Sequence, residues 1–158
     1  MNTISLHFLD PEVKPYAQIV RKTLVRGLGL LRKNCAVLDV YFIRNKEMRF
    51  LNKNYRGKDK ATNILSFEEP KQFPHPELDS RKKSSRGRRM RKGVQHLGEL
   101  YLNISYIQKE ARVRGTPYSV LFTQYSIHGL LHLLGYKHST KNDRIQMEKR
   151  EKFLISNI

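Results

Sequence analysis

The chain has 158 residues, 39% of them hydrophobic, with one Cys and a formal net charge of +17. That length suits one domain with a real core, the apolar content argues against a disordered chain, and no apolar run approaches the ~18 residues needed to span a membrane. The excess of 31 Lys and Arg over 14 Asp and Glu sets up a field that concentrates polyanions, nucleic acid above all.

Cys35 has no partner for an internal disulfide and is expected to be a buried, inert thiol. The opening residues Met-Asn-Thr-Ile-Ser-Leu-His lack the basic and long apolar regions of a signal peptide, so a soluble, cytoplasmic protein is expected.

Residues 2–8 alternate polar and apolar and predict a half-buried strand. Pro11 opens a helix to about Leu31, with Tyr16, Ile19, Val20, Leu24, Leu28 and Leu31 at helical spacing, weakened at its end by Gly27 and Gly29. Residues 36–43 predict a second, more deeply buried strand. Asn45 is placed to cap a short helix carrying Met48, Leu51, Asn52 and Tyr55. Residues 62–67 and Leu97 to Ile104 predict the third and fourth strands.

A basic, flexible loop is expected between those strands, at about residues 72–95. Its core holds Arg81, Lys82, Lys83, Arg86, Arg88, Arg89, Arg91 and Lys92 with no acid among them. Charges at that density repel one another and have no core to join, so these side chains are candidate RNA contacts, or simply a solvated surface. They make up less than half of the net charge of +17, so the basic bias is global.

After Ile104 the chain reads as helical. A short helix covers about 105–113, Thr116 is the expected N-cap of the next, and Pro117 falls in its first turn. The helix to Leu134 is apolar on most sides and must be buried; its polar exception is the line Gln124, His128, His132. Such a stripe must find partners or open onto a cavity, because unpaired buried polar groups are costly. His128 and His132, four apart, share one helix face. Gly135 can take the left-handed conformation that ends a helix and returns the chain, bringing His138 round. Three imidazoles with an open fourth position are the ligand set of a catalytic zinc, and nickel and copper suit imidazole too. A last amphipathic helix runs from about Lys141 to Phe153.

The spacing His-x-x-x-His-x-x-Gly-x-x-His is also that of zinc peptidases, which carry a Glu directly after the first histidine as general base. Here that position is Gly129, which accepts no proton. Gly129 serves either close helix packing or room for a bulky substrate.

The segment His128-Gly-Leu-Leu-His-Leu-Leu-Gly-Tyr-Lys-His138 resembles the signature of the YbeY family of metal-dependent endoribonucleases, which act in ribosomal RNA maturation and ribosome quality control. Leu51-Asn-Lys-Asn-Tyr-Arg-Gly57 with Thr62-Asn-Ile-Leu-Ser-Phe67 resembles the family's second block. Leu97-Gly-Glu-Leu100 resembles a third, in which Asp is usual for Glu99. The likeness runs from about residue 40 to the C-terminus, without the basic loop. It implies an α+β fold over residues 1–158 as one domain, a small mixed β-sheet packed with helices, and a zincin-like site on the central helix. It further implies that His128, His132 and His138 hold one zinc-like ion and that Arg56 matches the family's functional arginine. Chemistry agrees on Arg56, since a planar, permanently charged fork suits a phosphodiester oxygen. Two departures stand out: Lys137 precedes the third histidine where the family has Asp, and Asn63 follows Thr62 where Asp is usual.

The expected activity is cleavage of single-stranded RNA, ribosomal RNA in particular, with ribosomal or assembly proteins as partners and no membrane. The alternatives are a non-catalytic RNA-binding assembly factor with a structural metal and, behind it, a zinc peptidase.

Overall fold

The computed structural model describes residues 1–9, 13–68 and 94–158. Within them are four strands, β1 (Thr3–Phe8), β2 (Ala36–Ile43), β3 (Ile64–Glu68) and β4 (Gln95–Asn103). The five helices are α1 (Lys14–Leu30), α2 (Asn45–Arg56), α3 (Ile104–Arg114), α4 (Tyr118–Leu133) and α5 (Lys141–Ser156). The strands form one mixed sheet in the order β1-β2-β4-β3, with β1, β2 and β4 parallel and β3 antiparallel to β4.

Strand β2 lies inside the sheet and is apolar on both faces, as its sequence requires. Leu38, Val40 and Phe42 join the main core with α1 and α4, while Tyr41 and Ile43 meet Met48 and Leu51 of α2 on the opposite face. Helix α4 is the centre of the main core: Leu121, Phe122, Ile127, Leu130 and Leu131 are all buried. It approaches the sheet so closely at Gly129 that a Cβ there would collide with Leu100 and lie 2.7 Å from Ile64 Cδ1. The glycine is therefore a packing residue, and the substrate-room reading of it falls away.

Four sequence expectations need correction. Thr116 does not cap α4; its hydroxyl donates back to Arg114 O (3.5 Å) at the end of α3, and Pro117 takes the N-cap. Asn45 does not cap α2 either, since its side-chain oxygen accepts from Asn103 (2.9 Å) while Glu47 accepts the Arg44 N–H. Gln95 already belongs to β4, its N–H donating to Cys35 O at 3.0 Å, so a loop reaching residue 95 is too long. Cys35 is half-buried with φ of 58°, a turn residue and not a core thiol. The expected helix start at Pro11 and the basic residues from Arg81 to Lys92 lie outside the described residues. No helix among the described residues is long and apolar enough to cross a membrane.

Candidate metal centre

Helix α4 places His128 and His132 one turn apart, with ring centroids 4.7 Å from each other. The helix then stops in a Schellman turn. Gly135 N–H donates to His132 O (2.9 Å) and Tyr136 N–H to Leu131 O (3.0 Å), with Gly135 at φ +89°. Only glycine adopts that conformation without strain, which is why the helix can end there and the chain can turn back. The return carries His138 to the cluster, its ring stacked on His128 at 5.1 Å.

The turn also fixes a tautomer. His132 Nδ1 lies 2.9 Å from the Tyr136 carbonyl oxygen. A carbonyl only accepts, so Nδ1 carries the proton and Nε2 presents its lone pair. On His128, Nδ1 faces the Glu151 carboxylate at 3.4 Å, again leaving Nε2 as the open nitrogen. Those open atoms converge: His128 Nε2 is 3.1 Å from His132 Nε2 and 3.4 Å from His138 Nε2. Two imidazoles on a tetrahedral zinc with bonds of about 2.0–2.1 Å have nitrogens about 3.3–3.4 Å apart. Both His128 spacings are close to that value and all three ligand atoms lie within 4.8 Å of one another, so the donor set could hold a zinc-sized ion. Burial, foremost, and then the nearby His128, His138 and Arg56 charges hold the His132 pKa below its ordinary value. The neutral imidazole, the form that binds metal, is favoured.

Arg56 sits exposed in the last turn of α2, near enough for its charge to act on His132. Beside His128 opens a cleft of about 440 Å³, lined by Asn63, Arg114, Gln124, Tyr125, Glu148 and Glu151 among others. Tyr125 donates to Glu110 (2.6 Å), and burial with that carboxylate pushes its phenol up to about 12. Asn63 holds the start of β3, its Oδ1 accepting from Ile64 N–H at 2.8 Å and from Thr62 Oγ1 at 3.2 Å. An amide does that as well as a carboxylate, so the departure from Asp costs no local backbone bond. Lys137 is exposed on a separate hollow with Leu134, Gly135 and Asp143. Glu99 is buried on the sheet and accepts from Tyr101 OH at 2.7 Å. Desolvation and that carboxylate drive the Tyr101 phenol far up, so it stays a donor.

Glu151 and the Tyr136 carbonyl are the site groups that sequence reasoning missed. Glu151 lies on α5, a helix with no motif of its own, and no spacing within the histidine segment points to it. The turn geometry implied by Gly135 was the available signal for Tyr136.

The model of the family described as endoribonuclease YbeY matches residues 8–158. A Xylella fastidiosa protein named endoribonuclease YbeY is 34% identical over 145 residues, covering 91% of this chain and 81% of that one. A Bacillus cereus protein of the same name is 29% identical over 157 residues, covering 97% and 95% respectively. A solution structure of a Thermotoga maritima protein superposes with a TM-score of 0.56 at 21% identity, covering 99% of this chain and 88% of the other, which supports the fold alone. With the family model matching almost the whole chain, this protein belongs to the YbeY endoribonuclease family.

Proposed function

We propose that this protein is a metal-dependent endoribonuclease that cuts single-stranded RNA, ribosomal RNA in particular, in the cytoplasm. The observation that carries this reading is the convergence of three imidazoles, with His128 Nε2 3.1 and 3.4 Å from the Nε2 atoms of the other two and all three ligand atoms within 4.8 Å of one another. His128, His132 and His138 are its ligands in a zincin-like arrangement, with zinc the first candidate and nickel the next. Such an ion, when bound, supplies a Lewis acid and brings the pKa of water to about 7. His132 and His128 are oriented for this by Tyr136 and Glu151, partners of the kind that raise ligand basicity. Arg56 grips the phosphodiester with its two-pronged donor and stabilises the charge that develops on the phosphoryl oxygens. The basic side chains Arg81, Lys82, Lys83, Arg86, Arg88, Arg89, Arg91 and Lys92 add sequence-independent attraction for the RNA backbone. Ribosomal subunits or their assembly proteins are the natural partners for that activity.

A peptidase would need a proton acceptor where Gly129 packs against Leu100 and Ile64, and none is there. A non-catalytic assembly factor with a structural metal would keep the same three ligands, and Lys137, which precedes His138 in the chain where the family has Asp, favours it. One experiment separates the three: purified protein is incubated with unstructured RNA or with casein, before and after chelation and zinc restoration. The proposal expects RNA cleavage that chelation abolishes and zinc restores, with casein intact. A fully metal-loaded protein that binds RNA without cutting it would establish the assembly-factor reading instead.

A further inference from the structure

Away from the histidines, helices α2 and α3 flank a second, open cleft of about 740 Å³. Its lining includes Lys46, Arg49, Lys53 and Lys109 against a single carboxylate, Asp59. Asp59 takes hydrogen bonds from Arg49 (2.7 Å) and Lys53 (3.3 Å), which hold its pKa at about 2, so it remains charged and offsets only part of the positive field. Two large rings stand exposed in the same lining, Phe50 at 42% and Tyr106 at 41%. Large exposed aromatics interleaved with cations are the composition of a single-strand nucleic-acid surface, where phosphates meet the charges and bases stack on the rings.

The cations are also ordered. Lys46, Arg49, Lys53 and Arg56 follow the offsets 0, 3, 7 and 10 along α2, one face of the helix. At 1.5 Å of rise per residue they span about 15 Å. The stripe begins in the cleft and ends at Arg56, whose charge reaches His132.

We propose that the α2–α3 cleft is a second RNA-binding subsite, holding the part of a single strand that flanks the segment at the metal centre. Lys46, Arg49, Lys53 and Lys109 take its phosphates, and Tyr106 stacks a base. This assignment rests on the endoribonuclease reading for its orientation towards Arg56, but its binding test requires no cleavage.

Lys46→Ala/Lys109→Ala removes two cleft charges that take no part in the Asp59 ion pairs. Lys22→Ala/Lys149→Ala removes the same charge from exposed positions on α1 and α5. Affinity for a fluorescent oligouridine is measured from low to high salt for both variants, for Tyr106→Ala and for wild type, with melting curves confirming that all are folded. The cleft pair should weaken binding and lower the log-log salt slope by roughly 0.7 per phosphate no longer neutralised, while the control pair leaves the slope unchanged. Tyr106→Ala should weaken binding roughly 5-fold or more at unchanged slope, since the ring contributes stacking and no charge. Equal slopes in the cleft and control pairs would overturn the subsite. If wild type cuts RNA while those slopes are equal, the subsite fails alone. If the cleft slope falls in a protein that does not cut, the enzyme reading fails and the subsite stands.

Discussion

His132 donates through Nδ1 to the Tyr136 carbonyl, and Glu151 faces Nδ1 of His128, so two of the three imidazoles are already turned with Nε2 inward. Removing such a supporting carboxylate typically costs about 10- to 100-fold in metal affinity. Glu151→Ala should therefore bind zinc more weakly by that order in competition with a chromophoric chelator, and unchanged affinity would show that the carboxylate does not support His128. Arg56→Lys keeps the net charge, so RNA affinity should stay close to wild type, but the rigid fork is lost and single-turnover cleavage should fall on the order of 10²-fold. Cleavage equal to wild type would make Arg56 an ordinary surface cation. At this scale the sequence was legible wherever ligands share one segment, since the offsets of His128, His132 and His138 carry their geometry. It was silent on Glu151, because that residue meets His128 only once α5 packs beside α4.

Helix α4 must be buried, carry two ligands and end abruptly, and two glycines make this possible. Gly129→Ala would drive a methyl into Leu100 and Ile64, an overpacking that costs about 1–3 kcal/mol. Denaturant unfolding should show that loss, and wild-type stability would mean that the Leu100 and Ile64 end methyls turn aside at no cost. The apolar pattern of α4 announced a buried helix, and the run of apolar residues in β2 announced an interior strand. Which residue caps each helix was not legible from local preference. The Thr116 hydroxyl turns back to Arg114 O at the end of α3 and Asn45 accepts from Asn103 across the fold, so a good capping side chain served another bond in both cases. The choice between packing and substrate room at Gly129 was equally closed to sequence, because the deciding atoms belong to β3 and β4.

For the molecule as a whole, the net charge of +17 spreads well beyond the basic segment, and the α2–α3 cleft is one place where it gathers. Deleting residues 81–92 should flatten the salt dependence of RNA binding by roughly 0.7 in log-log slope for each phosphate that the segment neutralises, with metal content unchanged. A slope equal to wild type would make that segment a solvated surface. The α+β order of elements was readable from alternating periodicities along the chain, whereas the strand order β1-β2-β4-β3 depends on long-range pairing that no local pattern encodes. The most direct test of the account measures metal content and single-stranded RNA cleavage together in wild type and His132→Ala. It predicts about one zinc-like ion per chain and cleavage in wild type, and loss of both in the variant, with the fold retained. Cleavage persisting in a metal-free His132→Ala protein would contradict it.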